Sequence, residues 1–355
     1  MSAERAERLE AAIAERELDR LLVTDLLDVR WLSGFTGTNA VVVVGGGERL
    51  LWTDFRYAER AEQELAPGWE RVLAEQELLP ELAARLAGRV GFDDARLSVR
   101  QHRRLGELLP EGVELVPAGG LVGELRRAKD AHELAAIAGA AKLADAVYAW
   151  TLERGLRGRS EREVVVAAEH RMRELGAEGP SFPTIVATGA NGALPHAEPG
   201  EREIAAGDLV VFDMGAIVEG YCSDCTRTFA VGEPGPEARE VYELVLEAQA
   251  AALAAVRAGV ACREVDAAAR GLIEAAGHGE RFGHGTGHGV GLEIHEAPRL
   301  NKRSTEALVE GDVVTVEPGI YLSGQFGVRI EDLVVVTADG HRNLSGLPKV
   351  LQIVD

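Results

Sequence analysis

The sequence predicts an α+β chain in two parts, a smaller α/β domain over residues 1–125 and a larger domain over residues 126–355. Three observations predict it. A length of 355 residues is too great for one small core. In the first third, short β-rich runs alternate with helical stretches. Further on, Gly207-Asp208-Leu209-Val210-Val211-Phe212-Asp213 matches Gly311-Asp312-Val313-Val314-Thr315-Val316-Glu317, so a glycine, an aspartate and an apolar strand twice lead to an acid at the same offset.

The elements follow in order. Leu9, Ala12, Ile13 and Leu18 stand at helical spacing with charge between them, which predicts an amphipathic first helix. Residues 21–23, 40–44 and 49–52 read as strands, with Gly45-Gly46-Gly47 turning between the last two. Helices are expected around 56–65 and 77–86, with a further strand at 89–92. Residues 118–130, through Gly119-Gly120 and the basic cluster Arg126, Arg127 and Lys129, form the link to the larger domain. There, long helices at 132–156, 160–175, 236–258 and 262–276 are interleaved with β-hairpins, and Ser160 and Glu163 have capping-box spacing.

Composition excludes more than it selects. With 58 acidic and 38 basic residues the formal charge is −20, which argues against nucleic acid and anionic membranes as partners. Cys222, Cys225 and Cys262 are too few for a disulfide framework, so a reducing compartment, the cytoplasm, is expected. The first twenty residues alternate charge with Ala and Leu and read as neither a secretory signal nor a membrane span.

The matching segments carry the chemistry. Each continues through a glycine-containing turn into a returning strand with another acid, Asp224 in the first copy and Glu331 in the second. A turn centred between Val218 and Glu219 sets Asp213 directly opposite Asp224, and one centred on Gly324 sets Glu317 opposite Glu331. Opposed residues of an antiparallel pair share a face, with Cβ atoms about 4.5–5.5 Å apart. A one-residue shift moves partners to opposite faces. Four acids on semi-buried strands repel and resist ionisation unless something cationic sits among them, which points to one or two divalent metals. The competing arrangement pairs the acids with arginines such as Arg227 and Arg329.

Three histidines, His284, His288 and His295, stand in a run with glycine at nearly every second position, where the backbone can pack closely and leave imidazoles accessible. Neutral imidazole beside carboxylates suits Mn, Fe, Co or Zn. The run lacks the Lys-Ser/Thr of a phosphate-binding loop. His196 lies in a proline-flanked loop just before the first matching segment. Cys222 and Cys225 have no second cysteine pair, and residues three apart on a strand point to opposite faces, so both read as core thiols rather than a zinc site.

On these motifs the chain resembles the pita-bread metallopeptidases of the aminopeptidase P and prolidase group, the Xaa-Pro peptidases. The resemblance rests on Phe212-Asp213-Met214-Gly215, on Gly220-Tyr221 through Ser223-Asp224 to Thr226-Arg227-Thr228, and on His284 through His288 to His295-Glu296. Glu317-Pro318-Gly319-Ile320-Tyr321 and Val328-Arg329-Ile330-Glu331-Asp332 complete it. Gly34-Phe35-Thr36-Gly37 and Thr53-Asp54-Phe55-Arg56-Tyr57 resemble the creatinase-like domain that precedes the catalytic domain in this group.

The resemblance implies a pita-bread catalytic domain with an internal pseudo-twofold repeat, and two divalent metal ions (Mn, Co, Zn or Fe). It implies Asp213, Asp224, His288, Glu317 and Glu331 as ligands, with Asp224 and Glu331 bridging both ions. His196 and His295 match histidines that contact substrate or stabilise the tetrahedral intermediate. His284 matches one near the residue after the scissile bond, and Arg329 an arginine that orders the acids. The implied substrate is a peptide with proline at the second position, and the implied assembly is a homodimer. Arg299 matches a position where small archaeal-type prolidases carry an arginine, which would hold the free carboxylate of an Xaa-Pro dipeptide. An aminopeptidase P instead leaves room for a longer chain. Methionine aminopeptidases typically lack the large first domain, and creatinase replaces the metal ligands. A metal-free binding module on the same fold meets that last objection too.

Overall fold

The computed structural model describes residues 2–355 and resolves two compact units, one ending at Arg126 and the other spanning Arg127–Asp355. In the first unit a six-stranded mixed sheet runs in the order Glu70–Ala74, Glu48–Asp54, Val41–Gly45, Arg20–Val23, Arg89–Phe92, Glu114–Pro117. The three central strands are antiparallel neighbours and the outer pairs are parallel, so each outer pair needs a helical crossover. Leu22, Val43, Trp52, Val90 and Phe92 meet Leu82, Leu86 and Leu105 in its core.

The outermost strands, Glu70–Ala74 and Glu114–Pro117, escape the sequence reading because they are half exposed and carry no clear alternation. Two helices escape it as well. Leu26–Ser33 is set by Asp25, whose side chain accepts from Leu27 and Asp28 N–H, and ends on left-handed Gly34. Val99–Leu108 begins with a Ser98–Gln101 capping box. The helix expected at 56–65 forms as a short 3-10 turn, Phe55–Tyr57, followed by Ala58–Glu64.

In the second unit, the halves that the matching segments announce are built alike. Helices Ala131–Leu152 and Glu161–Glu174 bring Val147, Tyr148, Val164, Ala168 and Met172 against Val210, Phe212, Phe229 and Val231 of strands Leu209–Met214 and Cys225–Val231. Helices Pro236–Ala255 and Cys262–Ala275 bring Val245, Ala252, Val265 and Ile273 against Val314, Val316, Val334 and Val336 of strands Val313–Val316 and Asp332–Val336. The Ser160–Glu163 capping box forms. All three cysteines are buried and free. Among the described residues no helix is long and apolar enough to cross a membrane.

The hairpin registers divide. In the second hairpin, Val316 faces Asp332 on one ladder and Gly319 faces Arg329 on the next, so Glu317 and Glu331 fall opposite each other about a turn at Gly324, as expected. The first hairpin departs from expectation. Val218 pairs with Tyr221 and the turn is Glu219-Gly220, both in the left-handed region at φ 51° and 76°. Such a two-residue turn matches the twist of the flanking strands. Asp213 therefore faces Thr226, and Asp224 lies at the break between strands Tyr221–Cys222 and Cys225–Val231.

Candidate metal centre

Asp213 is the next-to-last residue of a strand that is buried along its whole length, and Asp224 and Glu331 stand beside equally buried strands. His288 is the middle residue of Gly287–Gly289, which runs between strands Glu296–Leu300 and Val313–Val316. A side chain at Gly287 would run into the Thr315 carbonyl, and one at Gly289 into that of Ala297, so the flanking glycines are required for this imidazole to reach its place.

All ten residues singled out from the sequence line one cavity of about 550 Å³: Asp213, Asp224, His288, Glu317 and Glu331, with His196, His284, His295, Arg299 and Arg329. Asp224, His288 and Glu331 are the tightest group, each offering a donor atom within 4.8 Å of the others. Nε2 of His288 is 3.3 Å from Oε1 of Glu317 and 3.6 Å from Oδ2 of Asp224. His196, His295 and Arg299 are exposed at the cavity's rim.

These residues fit a cation. Nδ1 of His288 is 3.1 Å from the Gly289 carbonyl and takes the ring proton there, which directs the Nε2 lone pair at two carboxylates. Burial, with His295 next in weight, pushes His288 down to about 3, which keeps the imidazole neutral. The rings of His288 and His295 meet edge to face at 4.4 Å. Burial and then the charge of Glu331 hold Asp224 well above the ordinary carboxylate range. Glu331 is raised by burial and then by Glu317 and Asp213, and burial pushes Glu317 up to about 7. Oδ1 of Asp213 is buried without a hydrogen-bond partner among the described residues. Crowded lone pairs, raised acids and an oxygen without a protein partner together make a donor set suited to a cation.

The arginine pairing weighed against a metal accounts for one acid only. Arg329 holds Oδ2 of Asp213 at 2.6 Å, whereas Arg227 pairs with Asp332, outside the cavity. Three supporting residues were not singled out by the sequence. Thr226 donates to Oε2 of Glu331 at 2.7 Å and accepts from Nε of Arg329 at 3.0 Å. Its place opposite Asp213 is the signal that the true register supplies. Thr315 donates to Oε1 of Glu317 at 3.2 Å. Tyr321 accepts from Nη1 of Arg329 at 3.0 Å and its hydroxyl lies 2.9 Å from Nε2 of His284, whose Nδ1 meets the Gly285 carbonyl. Both ring nitrogens of His284 are thus engaged within the protein, and burial pushes it down to about 4.

The chain is similar to known proteins along nearly its whole length. Residues 135–338 match the model of metallopeptidase family M24, and residues 5–128 match the creatinase/prolidase N-terminal domain. A solved structure of the Xaa-Pro dipeptidase from Bacillus anthracis is 42% identical and superposes with a TM-score of 0.96 over 100% of both chains. The X-Pro aminopeptidase from Thermotoga maritima is 35% identical, with a TM-score of 0.91 over 99% of this chain and 100% of its own. The Xaa-Pro dipeptidase of Pyrococcus furiosus is 35% identical over 96% of this chain and 97% of its own. The chain belongs to metallopeptidase family M24, with a creatinase/prolidase-type domain ahead of its catalytic domain.

Proposed function

We propose that the protein hydrolyses the bond between a first residue and a proline at the second position, acting on Xaa-Pro dipeptides. The observation that carries the choice of a dipeptide is Arg299. It stands directly opposite His288 in the antiparallel pair, on the same wall of the cavity, where its cation can receive the free proline carboxylate. The second reading, cleavage of longer Xaa-Pro peptides, is favoured by the likeness to the T. maritima X-Pro aminopeptidase.

Asp213, Asp224, His288, Glu317 and Glu331 would hold two divalent ions, of Mn, Co, Zn or Fe. Such ions polarise a carbonyl and lower the pKa of water, which supplies the attacking group. The chain's own residues do the rest. Glu317 accepts the proton of the attacking water and passes it to the leaving imide nitrogen, for which its raised pKa suits it. His295 and His196, at the rim, donate to the oxygen on which charge develops. Arg329 keeps Asp213 aimed inward, and His284, held by Tyr321, presents its ring to the leaving side. A proline nitrogen carries no hydrogen and its ring fixes the chain, so the substrate arrives with few conformations to lose.

A homodimer and a cytoplasmic setting complete the reading, the latter supported by three free, buried thiols. The test is metal analysis paired with hydrolysis of Ala-Pro and Ala-Pro-Ala. Selective cleavage of Ala-Pro by protein holding two ions per chain supports the proposal; cleavage of the tripeptide at a comparable rate removes the dipeptidase reading.

A further inference from the structure

Glu161 opens the helix Glu161–Glu174 behind its Ser160 cap and is completely buried. A buried carboxylate is costly unless its oxygens are satisfied, and here the partners are neutral donors. Oε1 accepts from the Thr188 N–H at 2.8 Å and Oε2 from the Gly200 N–H at 2.9 Å. The Asn191 amide donates to both oxygens at 3.1 Å. The helix N-terminus adds its own partial positive charge.

These donors have one thing in common. Thr188 ends the strand Ile185–Thr188, Gly200 lies after the loop that follows, and Asn191 sits in the loop's first turn. Between them the chain leaves regular pairing and carries exposed His196 to the rim of the cavity. One carboxylate therefore grips both ends of the loop that presents this imidazole. On the other side, Arg329 holds the same loop through the Pro195 carbonyl at 3.1 Å.

We propose that Glu161 is a positioning residue for peptide hydrolysis, fixing where His196 stands relative to the reacting carbonyl. The inference rests on the role given to His196 above. Glutamine at 161 keeps the shape but turns an amide N–H toward one of the two backbone N–H donors, which releases one end of the loop.

The test uses the full-length, metal-loaded protein and follows kcat and KM on Ala-Pro for Glu161→Gln, Asn191→Ala, His196→Ala and the double variant Glu161→Gln/His196→Ala. Glu161→Gln is expected to lower kcat about 10-fold, with metal content unchanged and KM moving by less than about 2-fold, as displacement of one catalytic group does. In the His196→Ala background the same substitution should leave kcat nearly unchanged, because the group it positions is gone. Asn191→Ala should move kcat in the same direction by a smaller factor, because the Thr188 and Gly200 N–H groups still hold the carboxylate. Wild-type kcat in folded Glu161→Gln, or an equal further loss when His196 is already absent, overturns the proposal. Should Glu161→Gln fail to fold, wild-type kcat in Asn191→Ala overturns it. Wild-type kcat in His196→Ala removes the role of His196 and this inference with it. That pattern differs from one in which His196→Ala is slow and Glu161→Gln is not, where Glu161 alone fails.

Discussion

Nη2 of Arg329 donates to Oδ2 of Asp213 at 2.6 Å, while Oδ1 of the same carboxylate is buried without a partner among the described residues. One oxygen is thus spent on orientation, and the other is left without a partner in a residue that lines the cavity. The same guanidinium reaches Thr226, Tyr321 and the Pro195 carbonyl, so it joins one metal-candidate acid, the hydroxyl that serves Glu331 and the His196 loop.

Arg329→Lys should therefore act out of proportion to its charge. Lysine keeps the cation but has no planar fork to meet these partners together. Activity on Ala-Pro is expected to fall about 10- to 100-fold, with weaker metal retention, as loss of a ligand-orienting partner does. Steady-state kinetics over a metal titration checks it; full activity at limiting metal would show that Asp213 needs no such support.

Glu317→Gln keeps the shape of a residue that touches His288 and Thr315 but removes the proton acceptor. We expect kcat on Ala-Pro to fall by at least about 100-fold while Tm is retained. Near wild-type turnover in the metal-loaded variant would sink the assignment of Glu317.

Metal removal should expose the strain among the acids. Glu317 is pushed up to about 7 from an ordinary 4.5, so without a cation the folded state holds a proton that the unfolded state releases. Stability of the metal-free protein is then greatest below about 4.5 as far as this group is concerned, and it is lost as pH rises through about 7. Asp224 and Glu331, raised in the same direction, add to that trend. Added divalent metal should raise Tm more at about pH 8 than at about pH 5, because protons compete for the same oxygens. Thermal scans with and without metal at the two pH values decide it, and equal shifts would count against the cluster as a cation site.

Arg299→Ala should separate substrates. If this cation receives the carboxylate of a dipeptide, KM for Ala-Pro rises about 10- to 100-fold while kcat/KM for Ala-Pro-Ala changes little. A parallel loss on both peptides would assign Arg299 to some other task.

Away from the cavity, Arg227 pairs with Asp332 at 2.8 Å, both fully buried, and donates to the Thr226, Glu331, Leu347 and Pro348 carbonyls. Arg227→Ala leaves Oδ1 of Asp332 and four carbonyls without this donor, while Lys349 still pairs with Oδ2 of Asp332 at 2.7 Å, so unfolding in urea should show a loss of about 3 kcal/mol. A loss below about 1 kcal/mol, the range of exposed pairs, would contradict this account.

By itself the sequence determined the α+β class, the paired hairpins and the set of residues that meets in one cavity. Apolar periodicity, capping pairs such as Ser160 and Glu163, and the matching runs ending in Asp213 and Glu317 are local patterns that reflect which faces must be buried. The second hairpin was legible because its turn centres on one obvious glycine, Gly324. The first was misplaced because left-handed Glu219 joins Gly220 in the turn, and a non-glycine in that conformation leaves no mark in composition. Only the tertiary structure decided that Thr226 rather than Asp224 faces Asp213, that Tyr321 occupies His284, and that Glu161 grips the His196 loop. The last two are meetings of donor and acceptor far apart in the chain. Burial forces such groups to find partners, but which partner is met depends on how the elements pack, and that information is spread over the whole fold.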